Sequence, residues 1–275
     1  MHVVEFGIDP ERLEKYVILF SLCAPRLLIF FQVAPFMGGV VLSGVLRNGV
    51  ALTLAPFLLI TLMPELDTLP VYSGYYKLFW TLGLLLKEVV LGFVFAYLSG
   101  LFFWAMQSAG QLVDNQRGAA MSQGSDPLSG EQASSLASFF FQTVVYLFFT
   151  SGIFVLLIQI LLNSYVVWSP VHYFPDVSNP VLTLFFTKLL SEFMVMVLLV
   201  ASPMVIVCLL SDIGLGLINR FAQQLNVFSL SMAVKSLAVS ILIVLYYIVL
   251  VRFIGTSFTE VISFMKTVLY WDAGI

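Results

Sequence analysis

Charge is what this sequence has least of. Among 275 residues there are 12 Lys+Arg and 15 Asp+Glu, 10% of the chain, against about 25% in an ordinary soluble domain. Hydrophobic residues make up 60%, and mean hydropathy is +1.03. A water-soluble globule of this size exposes too much surface to hide so much apolar material. A soluble enzyme and a disordered chain are therefore excluded. A net charge of −3 leaves no basic footprint, so nucleic acid is not an expected partner. The two cysteines, Cys23 and Cys208, stand 185 positions apart inside apolar runs, and His2 and His172 are isolated. No disulfide frame, zinc site or haem pattern can be assembled from them; both cysteines read as small hydrophobes in packed helices. No cofactor is expected.

Two motifs are also missing. No Gly-x-x-x-x-Gly-Lys-Ser/Thr loop occurs, so ATP is not the fuel of whatever the chain does. Without a Gly-x-Ser-x-Gly elbow, Ser151 and His172 make a poor intramembrane hydrolase, and Thr150-Ser151-Gly152 reads as a helix-packing spot of small residues. The first residues carry Glu5, Asp9, Glu11 and Glu14, the wrong sign for the start of a cleavable signal peptide.

What is present is a set of apolar runs at Tyr16–Leu46, Gly49–Met63, Leu78–Gln107, Leu136–Trp168, Val181–Ser211 and Ser236–Val251. A helix crossing the hydrocarbon core needs about 20 residues. The second and sixth runs are short, the third and fourth long, and the 44 residues from Gln132 to Pro175 hold no charged side chain. The runs lack the alternation of a barrel wall. The fold class is therefore all-α, an integral membrane or membrane-associated protein of helical hairpins with kinked and broken helices. Pro25, Pro35, Pro56 and Pro203 punctuate the runs, each removing a backbone donor. Around six spans, Arg12, Lys15, Lys77, Arg252 and Lys266 fall on one side and Arg47, Arg117, Arg220 and Lys235 on the other, which sets no orientation.

Charges inside the runs need protein or water around them. Lys87 and Glu88 are adjacent, and Lys188 and Glu192 share a helical face at i,i+4. Two readings compete, an ion relay and helix-to-helix pairing at a subunit interface; the second is preferred because each carboxylate has a basic neighbour. Near the C-terminus Phe258, Val261, Ile262, Met265, Val268 and Leu269 recur at helical spacing. They predict an amphipathic helix over about 256–270, on a membrane surface or on a partner.

The most unusual segment is polar and lies between two strongly apolar runs, over about 108–135. It contains Asp114, Asn115, Gln116 and Arg117 in a row, glycines at 110, 118, 124 and 130, and the turn-forming Asp126-Pro127. Its residue types suit either a solvated loop or a backbone passing a narrow place against protein and water.

Val113-Asp114-Asn115-Gln116-Arg117-Gly118-Ala119-Ala120 strongly resembles a sequence of the SctT family, also called YscT or SpaR, the injectisome relatives of flagellar FliR. Leu46-Arg47-Asn48-Gly49 is similar to that family's N-terminal Arg-Asn block. Leu215 through Phe228, with Asn219, Arg220, Gln224 and Asn226, continued by Ser231–Lys235, is similar to its C-terminal signature. The three blocks lie in order, so the resemblance covers essentially the whole chain, 1–275, as a single domain. It is nearer the virulence-type branch. Many relatives have proline where this chain has Gln223 and Ala233, which predicts a more regular helix here.

The resemblance implies a non-enzymatic subunit of the type III secretion export apparatus in the bacterial inner membrane, partly raised out of the bilayer. Its fold would resemble a fusion of an SctR-type unit and an SctS-type hairpin. Its partners would be SctR-, SctS- and SctU-like subunits, membrane lipid, an inner-rod protein and secreted polypeptides in transit. The polar insert would be the plug of the entry portal, with Asp114, Asn115, Gln116, Arg117, Gly118, Asp126 and Pro127 as plug residues. Arg47, Asn48, Lys87, Glu88, Lys188, Glu192, Asn219, Arg220, Gln224, Asn226 and Lys235 would be interface or structural residues. The alternative is an ion-coupled secondary transporter of a small solute. It predicts a pattern repeated in the two halves, and the polar insert has no counterpart.

Overall fold

The structure, a computed structural model, describes residues 10–38, 43–64, 75–119, 134–173, 181–221 and 226–270. Among these the regular elements are helices: α1 (Pro10–Val33), a short 3-10 turn (Pro35–Met37), α2 (Gly44–Leu62), α3 (Tyr75–Gln116), α4 (Ser135–Thr150), α5 (Ile153–Val167), α6 (Val181–Phe221) and α7 (Val227–Tyr270). No strand occurs among the described residues. Among the described residues five helices are long and apolar enough to cross a membrane, or six if α4 and α5 count as one broken span. The all-α reading holds.

Three local expectations change. The fourth apolar run is broken, as expected, but the break falls on the small residues Ser151–Gly152, where Gly152 has φ +75°. A Cβ there would meet nothing within 4 Å, so these small residues do not pack against a neighbouring helix. They break the helix, and glycine adopts the left-handed geometry of the break without steric cost. The short sixth run extends to a 44-residue helix. The amphipathic segment over 256–270 is the last part of α7 rather than a separate helix. Gly255 alone costs only about 1 kcal/mol in a helix, too little to interrupt it, and Thr259 Oγ1 bonds back to the Gly255 carbonyl at 3.0 Å. Third, α3 continues through Gln116, so the first part of the polar insert is helical. Gln107–Gln116 carry polar side chains without leaving the helix.

The prolines do less damage than their number suggests. Pro25, Pro56 and Pro203 all sit inside continuous helices. Pro203 cannot donate to the carbonyl of Leu199, and Ser202 Oγ takes over that bond at 3.2 Å. Ala233 lies within continuous α7, as the absence of proline there led one to expect; Gln223 lies outside the described residues.

The chain forms two compact units, residues 1–100 with 155–178 and 264–275, and residues 101–154 with 179–263. In the first, α1 buries Leu19, Leu22, Cys23, Leu27, Phe30 and Phe31. Gly92 of α3 lets the helices touch, since a Cβ there would fall 2.6 Å from the Arg26 carbonyl oxygen. The second unit has an aromatic core. Phe102 and Phe258 lie 4.0 Å apart between ring centroids, Phe103 and Phe148 5.2 Å, and Phe148 and Phe258 5.6 Å. Gly110 of α3 meets the start of α4 just as closely, its would-be Cβ 2.5 Å from Ala137 N. Outside these cores α6 and α7 stay strongly apolar and open: Leu217 is 60% exposed, Leu245 73% and Val244 76%. Such surface suits lipid or neighbouring helices, not water.

Candidate functional site at the base of the polar insert

Helix α3 ends where its sequence permits. Arg117 N still donates to the Val113 carbonyl at 3.0 Å, and Gly118 N turns back to the Asn115 carbonyl at 3.1 Å. Gly118 has φ +79°, the left-handed residue that commonly closes a helix. The chain returns at Ser134, which caps α4 by accepting from Ala137 N at 3.2 Å. Residues 120–133, with Asp126 and Pro127, lie outside the described residues.

Between exit and return sits Asp114, 1% exposed. One carboxylate oxygen, Oδ1, accepts from Arg117 Nε at 2.7 Å and lies 2.6 Å from Arg117 Nη2. The other, Oδ2, accepts from Ser134 Oγ at 2.6 Å and from the backbone N–H of Leu136 at 3.0 Å. Four donors thus fill both oxygens of an acceptor-only group. The Leu136 amide is one of the orphan donors of the first turn of α4, and an anion at that end is favoured by the helix dipole. Arg117 Nη2 reaches on to Ser135 Oγ at 3.0 Å. Asp114 therefore ties the two ends of the insert together.

At the same end of α3, Lys235 of α7 takes the last carbonyl. Its Nζ donates to the Gln116 carbonyl at 3.2 Å and to Asp212 Oδ2 of α6 at 2.9 Å. A cation on the last carbonyls of a helix is favoured by the same dipole. Asn115 and Gln116 themselves are exposed. Asn226, by contrast, works locally, its Oδ1 accepting from Ser229 N at 3.4 Å as α7 begins. Asn219 and Arg220 are exposed near the end of α6. Gln224 and the side chains of Lys188 and Glu192 lie outside the described residues.

In the first unit the expected interface or structural residues Lys87, Glu88, Arg47 and Asn48 each have partners within the chain. Glu88 is fully buried and takes a bidentate contact from Arg26, Nε to Oε2 at 2.6 Å and Nη2 to Oε1 at 2.9 Å. Arg26 also donates to Ser164 Oγ and to the Trp168 carbonyl, both at 3.0 Å. Its guanidinium lies 4.0 Å from the centre of the Tyr165 ring, whose hydroxyl donates to the Cys23 carbonyl at 2.7 Å. Lys87 Nζ approaches Glu88 Oε1 at 2.9 Å and donates to the carbonyls of Ser169, Pro170 and His172. Arg47 and Asn48 share Gln32: Arg47 Nη2 donates to Gln32 Oε1, and Gln32 Nε2 to Asn48 Oδ1, each at 2.7 Å.

Sequence reasoning missed Arg26 and Asp212 as partners. A signal for Arg26 existed, because a lone cation in an apolar helix needs an anion somewhere; nothing local pointed to a residue 62 positions away. Among the described residues no group of three His, Cys, Asp or Glu could hold a metal ion. Ser151 Oγ is committed to the Leu147 carbonyl at 2.7 Å.

Similarity to known proteins bears on the same blocks. A profile of the family described as "Bacterial export proteins, family 1" matches residues 17–261. The chain is 34% identical over 238 residues to "Yop proteins translocation protein T" of Yersinia pestis, covering 86% of this chain and 88% of that protein. It is 34% identical over 233 residues to "Surface presentation of antigens protein SpaR" of Salmonella typhimurium, covering 80% of this chain and 78% of that protein. To "Flagellar biosynthetic protein FliR" of Bacillus subtilis it is 24% identical over 252 residues, covering 91% and 94%. Matched across most of its length, with five or more apolar helices, the chain is a multi-pass inner-membrane protein and belongs to the bacterial export proteins, family 1, as a member of the SctT type.

Proposed function

We propose that this protein is a non-enzymatic subunit of the type III secretion export apparatus. In this reading it joins SctR-, SctS- and SctU-like subunits, acts as one export domain over its whole length, and helps to form and plug the portal through which unfolded proteins leave. The observation that carries the reading is the polar insert, whose two ends are tied by Asp114 between α3 and α4. The similarity to secretion-system T proteins supports the apparatus. The exposed apolar faces of α6 and α7 suit lipid and neighbouring subunits, and that pair of long helices fits an SctS-type hairpin. A seal that opens for a polypeptide must be only a few kcal/mol better closed than open. Replaceable hydrogen bonds of polar side chains meet that condition better than a packed apolar stopper.

The ion-coupled transporter draws less support. It needs ionisable groups free to exchange partners at mid-span, whereas Glu88 and Asp114 are saturated by donors of the same chain.

Deleting Ser122–Glu131 tests the proposal. The expected outcome is normal co-purification with the partner subunits and an ion-leaky membrane. An assembled deletion variant as ion-tight as wild type would overturn the plug reading.

A further inference from the structure

The last turns of α3 have two unlike faces. Met106, Ala109, Val113 and Asp114 are at most 1% exposed, whereas Gln107, Ser108, Gln111, Asn115 and Gln116 are exposed. The open face carries amide and hydroxyl groups but no charge, because Asp114, the one charged residue between 107 and 116, belongs to the buried face. Leu112 is its apolar exception, 42% exposed. Among the described residues none of the five polar side chains is held by a hydrogen bond.

We infer that this open face of α3, from Gln107 to Asn115, is a docking surface for the main chain of an extended polypeptide. The inference rests on the portal reading and names the surface that a polypeptide in transit touches.

Spacing and chemistry carry it together. Gln107, Gln111 and Asn115 recur at every fourth residue, which stacks them on one side of the helix about 6 Å apart along its axis. In an extended chain every second residue turns its N–H and C=O to the same side, and that repeat is about 6.7 Å. A primary amide has an acceptor oxygen and two donor hydrogens. Each rung can therefore accept from one such N–H and donate to the C=O of the same residue. The offset of about 0.7 Å per rung is small beside the reach of these side chains.

Other occupants fit less well. Lipid tails would leave the amides without partners, and a permanently packed helix would freeze long side chains that are free here. Main-chain contact is also indifferent to the sequence in transit, since every residue but proline presents the same donor and acceptor. Such bonds gain little over those to water, so a chain is guided without being held.

Photo-cross-linking tests the assignment. A photo-reactive amino acid replaces Gln107, Gln111 or Asn115 in the full assembled complex, which is loaded with a secretion substrate fused to a domain too stable to unfold. Capture of the stalled polypeptide from these positions is expected with two substrates of unrelated sequence. A stalled polypeptide that co-purifies with the complex but escapes all three positions overturns the docking surface and leaves the portal reading standing. A complex that holds no stalled polypeptide defeats both. Gln107→Ala/Gln111→Ala/Asn115→Ala should assemble at wild-type yield and secrete several-fold less, and exchanging the amides, Gln107→Asn/Gln111→Asn/Asn115→Gln, should restore most of the loss. Wild-type secretion per assembled complex from the alanine variant would overturn the inference.

Discussion

Each of the two compact units holds a buried polar knot among its described residues, and the two are built on opposite plans. In the first unit, Arg26 and Glu88 come from α1 and α3, are both fully buried, and are roofed by Tyr165 and braced by α5. In the second unit, Asp114 of α3 and Arg117 just past its end are neighbours at i,i+3, with the arginine side chain 12% exposed, and their remaining bonds go to the start of α4. The first knot joins distant helices inside an apolar core. The second joins the ends of one insert where water is near. A charge pair sealed from water is costly to break but replaceable by apolar packing, whereas the second pair also satisfies an amide of the first turn of α4, so its loss leaves a helix end short of a partner. The first is thus a core pair and the second a helix-end pair.

Separating those roles begins with the largest effect. Glu88→Ala should destabilise the folded protein by about 3–5 kcal/mol, because it leaves Arg26 charged in a closed apolar site. Detergent-solubilised yield and thermal unfolding measure this. Arg26→Met/Glu88→Met, of similar volume, should regain most of it. A double variant as unstable as the single would show that the pair does more than satisfy itself.

Gly110→Ala comes next. Its Cβ would press on the α4 backbone rather than on a flexible side chain, and overpacking of this kind costs about 1–3 kcal/mol. A matching fall in thermal stability is expected. An unchanged midpoint would mean that α3 and α4 are less tightly closed than described.

Asp114→Ala should cost about 1–2 kcal/mol, from the lost α4 cap and the freed donors. It should leave the first unit intact, which a urea transition with an unchanged slope would show. In membranes the assembled variant should leak ions. Equal stability loss without any leak would confine Asp114 to a structural role.

The smallest effect is expected from Lys235→Met. Asp212 keeps 41% side-chain exposure, and partly exposed ion pairs contribute about 0–1 kcal/mol. Thermal unfolding within that range, with wild-type ion tightness, would make Lys235 dispensable at the end of α3. A larger loss would make the Gln116 carbonyl contact more important than the ion pair.

Legibility differed between these regions for a physical reason. The polar run from Gln107 looked like the start of a loop, because helices in apolar surroundings rarely carry so many polar side chains. The helix persists to Gln116 since the buried Asp114 finds its partners in α4, across a segment that local pattern cannot bridge. Lys87 was legible as the neighbour of Glu88, and it is one. The bidentate partner Arg26 was not, because pairing depends on distance in space rather than along the chain. Gly152 was read for its smallness when its backbone angle was the point. Gln32 gave no sign that it would bind both Arg47 and Asn48.

Scarcity of charge decided the class of this protein from composition alone, since transfer of apolar surface adds up residue by residue whatever the fold. The apolar runs, the polar insert and the three family blocks were equally open to reading, being properties of contiguous sequence. Which charges meet, where α3 and α7 end, and which residues of the insert are held needed the folded chain. Those features come from directional contacts between residues brought together by packing, and a carboxylate's partners are set by which helix end happens to face it.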